Sequence, residues 1–225
     1  MLLLVDADDT LWENNIYFER VIQEFVEFVN HQHYSPEEIR AILDEIELAN
    51  RALHGYGSEA FGRNLREAFH RLATRPVAPE QLAYVEGLAA AIAKQELEIL
   101  EGVPETLEYL AGRHRLVLCT KGSREEQHAK LARSGLERLF AQTVVVREKN
   151  ETAYRGLTAE LGAAPADTWM IGNSPRSDIN PALAAGINAV WIPHAHTWSL
   201  EHEELRGGSG RLVVISKFAR LRHIF

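Results

Sequence analysis

One apolar run, Leu2-Leu3-Leu4-Val5, stands far from every other strand-like run in the chain. It stops at Asp6, and nothing from Trp12 to Leu100 reads as a strand. After Leu100 the pattern changes. Short apolar runs recur at 116–119 (Leu-Val-Leu-Cys), 144–146 (Val-Val-Val), 169–171 (Trp-Met-Ile) and 189–192 (Ala-Val-Trp-Ile), with 212–215 (Leu-Val-Val-Ile) a candidate fifth. An unbroken apolar run of this length has no polar side to turn to water, so it predicts a strand buried on both faces, as in a parallel sheet. Helical segments are expected between these strands at about 104–111, 125–133, 151–161 and 181–184. Strand and helix in alternation imply a parallel sheet covered on both sides. The chain therefore reads as an α/β protein, a Rossmann-like doubly wound parallel sheet whose first strand is separated from the rest by an all-helical cap. The expected boundaries are 1–13 plus 101–225 for the core and 14–100 for the cap.

Helical periodicity dominates the insertion. Phe18, Val21, Ile22, Phe25, Val26 and Val29 recur every three or four residues and mark one apolar face. Ser35-Pro36-Glu37-Glu38 is a capping box with proline at the first helical position, opening a second helix to about residue 49. Two more helices are expected at about 59–72 and 79–97. The stripe of Phe18, Phe25 and Phe28 reads as packing inside this unit. Gly55-Tyr56-Gly57-Ser58 interrupts the pattern between two helices, and Tyr56, Arg63 and Trp12 are weaker candidates for touching a substrate. A plain helix connection explains that interruption as well.

Charge and cysteine content narrow the function. Of 225 residues, 24 are Lys or Arg and 32 are Asp or Glu, a formal net charge of −8. Such a chain has no general attraction for nucleic acid or anionic membranes. Hydrophobic residues are 46% and charged residues 25%, enough for a core without staples. The one cysteine, Cys119, lies in an apolar run and excludes an intrachain disulfide and a thiolate zinc cluster. It reads as an inert core thiol in a reducing, cytoplasmic setting. The start Met1 to Val5 is too short for a signal peptide, and no run approaches a membrane span.

In open α/β sheets, ligands bind beyond the carboxyl ends of the strands. The first strand is followed by Asp6-Ala7-Asp8-Asp9-Thr10-Leu11, and the second by Thr120-Lys121-Gly122-Ser123. Arg147-Glu148-Lys149 and Gly172-Asn173-Ser174-Pro175-Arg176-Ser177-Asp178 follow the next two. If the strands are neighbours, two carboxylate-bearing segments, a hydroxyl and a lysine meet at one place. Crowded carboxylates call for a cation, and hard oxygen ligands suit Mg²⁺. A hydroxyl, a lysine and backbone N–H groups suit a phosphoryl group. The histidines His194, His196 and His202, and the pair His31 and His33, read as loop or surface residues rather than metal ligands.

Asp6-x-Asp8-x-Thr10-Leu11, Thr120, Lys149 and Gly172-Asn173-x₄-Asp178 resemble the four signature motifs of the haloacid dehalogenase superfamily, in order and across nearly the whole chain. The helical insertion resembles the small cap of one large branch of that superfamily. The resemblance implies Asp6 as a nucleophile that takes the phosphoryl group as an aspartyl phosphate. It implies Asp8 as the acid for the leaving oxygen and the base for water. Thr120 and Lys121 would bind phosphate oxygens, and Lys149 would neutralise the nucleophile and the transferring group. Mg²⁺ would be held by Asp6, Asp8 through its backbone carbonyl, Asn173 and Asp178. Position 173 departs from the pattern, since phosphatase members usually carry Asp there.

The expected activity is a Mg²⁺-dependent phosphatase acting on a small phosphorylated metabolite. A cap over the site favours small substrates and excludes bulk water. The alternatives are a 2-haloacid dehalogenase, against which Asp8 argues, and a binding module weakened by Asn173. A phosphomutase would share the same intermediate.

Overall fold

A computed structural model describes all 225 residues, 1–225, and divides the chain into two compact units. The first comprises Met1–Asn15 with Leu97–Phe225, the second Ile16–Glu96. Strand β1 (Leu2–Val5) opens the first unit. Helices α1 (Asn15–Val29), α2 (Pro36–His54), α3 (Ser58–Leu72) and α4 (Pro79–Ile92) follow. The chain continues with α5 (Val103–Ala111), β2 (Arg115–Lys121), α6 (Arg124–Ser134) and β3 (Gln142–Val146). It closes with α7 (Glu151–Glu160), β4 (Thr168–Gly172), α8 (Asn180–Ala184), β5 (Asn188–Trp191) and β6 (Leu212–Val214), then a 3₁₀ segment at Phe218–His223.

The six strands form one sheet in the order β3-β2-β1-β4-β5-β6, and every pairing is parallel. The order runs outward in both directions from β1, so β1 and β4 flank the point where the winding reverses. Alternation along the strands explains why they look uniformly apolar in sequence. Leu3, Val5, Leu116, Leu118, Trp169 and Ile171 pack with Val103, Leu107 and Leu110 of α5 and Leu131 of α6. Leu2, Leu4, Val117, Cys119 and Met170 turn to the other face, against Tyr154 and Leu157 of α7 and Ala182 of α8. Truncating a leucine on either face would cost about 2–5 kcal/mol.

The helical unit has its own core. Phe25, Leu43, Leu65 and Val85 are fully buried in it. Phe18 stacks edge-on to Phe61 at 5.1 Å, and Phe28 meets Phe69 at 5.6 Å and Tyr84 at 4.5 Å. Both halves of the Ser35 capping box form: Glu38 N–H donates to Ser35 Oγ, and Ser35 N–H donates to Glu38 at 2.7 Å. Gly55 and Gly57, both with positive φ, make the break between α2 and α3. Helix α4 ends at Ile92, short of the expected residue 97, where Ala93 caps it. No helix is long and apolar enough to cross a membrane.

Candidate active site

Asp6 sits just beyond the carboxyl end of β1, its backbone N–H still donating to Ile171 of β4 at 2.9 Å. The carboxylate accepts from Lys149 Nζ and, at 3.2 Å, from Thr10 Oγ1. Lys149 also donates to Asp178 at 2.7 Å, so one buried ammonium bridges two buried carboxylates. Burial and the Asp178 charge push the Asp6 carboxyl up to about 7, although Lys149 opposes them. Burial alone would lower the Lys149 ammonium, but Asp178 and Asp6 reverse this and raise it. Two carboxylates against one ammonium leave excess negative charge in a dry place.

Asp178 folds back over Gly172. A Cβ at position 172 would lie 2.2 Å from Asp178 Oδ2, which only glycine avoids. The other Asp178 bond comes from Ser174 N–H at 3.0 Å. Asn173 lies beside this pair. Its Oδ1 lies 3.2 Å from Thr10 Oγ1, whose one proton Asp6 competes for, and its Nδ2 donates to Thr197 Oγ1 at 2.9 Å. Thr120, at the end of β2, is buried with its hydroxyl 3.5 Å from the Lys121 carbonyl.

Asp8 and Lys121 are engaged elsewhere. Asp8 accepts from Trp12 Nε1 at 2.8 Å, Gln127 Nε2 at 2.9 Å, and Lys130 Nζ at 3.0 and 3.2 Å. Burial would raise its carboxyl, but the Lys130 charge and these hydrogen bonds hold it below the ordinary range. Lys121 Nζ donates to Ser177 at 2.9 Å and pairs with Glu201. Ser174 Oγ donates to the other Glu201 oxygen. The phosphate role expected for Lys121 thus meets a lysine already bound to a buried carboxylate. Ser123 caps α6, accepting from Glu126 N–H. Cys119 is buried, and burial pushes its thiol up to about 12.

Thr10, Trp12, Gln127, Lys130, Ser174, Thr197 and Glu201 complete these contacts and were not among the sequence candidates for catalysis or metal binding. Thr10 belongs to a quoted motif, and Gln127 and Lys130 lie one helix turn apart beyond the second strand. Thr197 and Glu201 carry no pattern that could have singled them out.

His194 is less of a surface residue than its sequence suggests. Its Nε2 lies 3.3 Å from Glu13 and its Nδ1 3.9 Å from Asp9. One donor atom from each of the three lies within 4.8 Å of the others, a set that could hold a cation. Asp9 also accepts from Asn14 and Asn15 N–H at 2.9 and 3.0 Å.

The sequence profile of the haloacid dehalogenase-like hydrolases matches residues 1–186. The chain belongs to this family of enzymes. Among curated relatives it is 26% identical over 202 residues to N-acylneuraminate-9-phosphatase from Homo sapiens, covering 83% of this chain and 80% of that one. It is 24% identical to phosphoserine phosphatase from Thermus thermophilus, covering 85% and 88%. A haloacid dehalogenase-like family hydrolase from Xanthomonas campestris superposes with a TM-score of 0.87 at 26% identity, over all of this chain and 89% of that one. A 2-haloacid dehalogenase from Pseudomonas syringae pv. Tomato shares the fold, with a TM-score of 0.64 at 18% identity over 99% and 96%.

The oxygens of Asp6, Asp178 and Asn173 form a hard donor set with unbalanced negative charge. That chemistry fits a small oxygen-seeking dication such as Mg²⁺. Nothing in the set is a soft ligand.

Proposed function

We propose that this hydrolase is a Mg²⁺-dependent phosphatase that cleaves a small phosphomonoester through an aspartyl phosphate on Asp6. The observation that carries the reading is the single Lys149 ammonium shared by Asp6 and Asp178, with Asn173 Oδ1 linked to Asp6 through Thr10. The phosphatase names of two curated relatives support it.

In this reading the Asp6 carboxylate attacks phosphorus, and an acyl phosphate forms as the ester P–O bond breaks. Asp8, which Lys130 holds as a carboxylate beforehand, takes up a proton from solvent as substrate binds and gives it to the leaving alkoxide. It then takes a proton from water, whose oxygen attacks the acyl phosphate at phosphorus. Inorganic phosphate leaves, and both carboxyl groups return to their starting state. Lys149 offsets charge on the nucleophile and the transferring oxygens. The Thr120 hydroxyl donates to a phosphate oxygen. Lys121 supports the same end of the site through Glu201 and Ser177. Bound at Asp6, the Asp8 carbonyl, Asn173 and Asp178, Mg²⁺ would supply positive charge against the substrate oxygens.

The test is phosphate release from p-nitrophenyl phosphate and a panel of sugar, nucleotide and hydroxy-acid phosphates. Release that requires Mg²⁺, stops in EDTA and is absent in Asp6→Asn is the expected result. Silence on the whole panel, or halide release from a 2-haloacid in EDTA, would overturn it.

A further inference from the structure

Position 173 carries an amide, and a residue outside every motif fixes which way that amide points. The Thr197 hydroxyl has one proton. It lies 3.0 Å from the His194 carbonyl, which can only accept and which also takes the Thr197 N–H at 3.2 Å, so the hydroxyl donates there. Thr197 Oγ1 therefore faces Asn173 with a lone pair, at 2.9 Å. Only the NH₂ end of Asn173 can meet it. The carbonyl end must then point the opposite way, toward Thr10 Oγ1 at 3.2 Å; the one Thr10 proton also lies within reach of Asp6 at 3.2 Å, so Oδ1 has at most a share of it and keeps lone pairs for a cation. The Asn173 backbone is pinned independently, its carbonyl accepting from Trp191 Nε1 at 2.9 Å. Asn173 is 6% exposed, so water has little part in the choice.

We infer that Thr197 is a positioning residue for the metal: it holds Asn173 as a neutral oxygen ligand, with Oδ1 presented beside Asp6. The inference rests on the Mg²⁺ reading of the site. An aspartate at 173 would place a carboxylate oxygen against Thr197 Oγ1 with no proton between them. Thr197 would have to release His194, or the carboxylate would be repelled. The departure from the usual aspartate is thus matched by its surroundings. The cation charge is then carried by Asp6 and Asp178 alone, against Lys149.

The two kinds of ligand predict opposite responses to loss of the hydroxyl. An amide has one useful end, so removing Thr197's lone pair lets it turn over. A carboxylate has two equivalent oxygens, so nothing is lost and a repulsion is relieved. Mn²⁺ serves as the probe, read as free Mn²⁺ by electron paramagnetic resonance. Thr197→Val should weaken binding about tenfold with Asn173 in place, the usual scale for removing an outer partner of a metal ligand. Thr197→Ser should restore it. In the Asn173→Asp background, Thr197→Val should leave affinity unchanged or tighten it.

Equal weakening in both backgrounds would reduce Thr197 to a loop-holding residue and overturn the inference. So would no change in the Asn173 background. Those outcomes leave the Mg²⁺ reading standing. A wild-type protein that binds no Mn²⁺ overturns the reading of the site itself, and the ligand role of Asn173 with it. The amide can also be observed without metal. In a nitrogen–proton correlation spectrum of the EDTA-treated protein, one Asn173 side-chain proton should resist exchange and lose that protection in Thr197→Val. Equal exchange in both proteins would contradict the assigned polarity.

Discussion

Lys149 and Asp178 meet at 2.7 Å with side chains only 2% and 1% exposed, and the same ammonium serves Asp6. A buried pair of this kind adds little net stability, but removing one member leaves the other charged and unsolvated. Lys149→Met leaves two carboxylates in that position. It should lower unfolding free energy by about 3–5 kcal/mol in EDTA, read from urea denaturation. Added Mg²⁺ should recover part of the loss.

Gly172 has no room for a side chain, because a Cβ would lie 2.2 Å from Asp178 Oδ2 and 2.4 Å from its Cγ. Its φ is not the reason, since Gly172 is not among the positive-φ residues. Gly172→Ala must push Asp178 away from Lys149. The expected cost is about 1–3 kcal/mol or more from overpacking. Mg²⁺ should then raise the melting temperature less than it does in the wild type.

Lys130 reaches Asp8 from α6 at 3.0 and 3.2 Å, alongside Gln127 and Trp12. Lys130→Met removes the cation that grips both Asp8 oxygens and leaves Gln127 and Trp12 alone to orient the carboxyl group. Turnover of an alkyl phosphate should fall by about 10²-fold, the low end for general acid–base catalysis, with KM little changed. For p-nitrophenyl phosphate the fall should be much smaller, since its leaving group needs no proton. Equal losses on both substrates would count against this role for Asp8.

Burial pushes the Asp9 carboxyl up to about 7, aided by the charges of Asp8 and Glu13 and opposed by the Asn15 and Asn14 N–H groups. Between the unfolded value near 3.8 and about 7, the folded protein holds a proton that the unfolded chain has released. Stability from this group is therefore complete at low pH and is lost as pH rises through about 7. In EDTA, Asp9→Asn should flatten the decline in urea stability between about pH 4 and about pH 7. An unchanged slope would show that Asp9 is ionised throughout.

The sheet was legible because its central strands are buried on both faces. All four residues of Leu2–Val5 are buried, and so are all five of Thr168–Gly172. Strand β3 lies at the sheet edge and is half-buried along its length, so Gln142 and Thr143 joined it without an apolar signal. The segment Phe218–His223 carries no sequence signal, because its buried apolar residues, Phe218 and Leu221, are too few to show a period. In the candidate site, Asp6, Thr120, Lys149, Asn173 and Asp178 stood out by following strands. Their partners did not. Lys130 is 122 positions from Asp8 and Thr197 is 24 from Asn173. Folding alone brings such pairs together, and neither partner belongs to a motif.

Asp6 carrying the phosphoryl group is the central step of the proposed reaction. Acid quenching during turnover of p-nitrophenyl phosphate radiolabelled at phosphorus, followed by peptide mapping, measures this most directly. The label should sit on the N-terminal peptide containing Asp6, be released by hydroxylamine, and be absent from Asp6→Asn. Turnover at wild-type rate in Asp6→Asn, or label on any other residue, would contradict it.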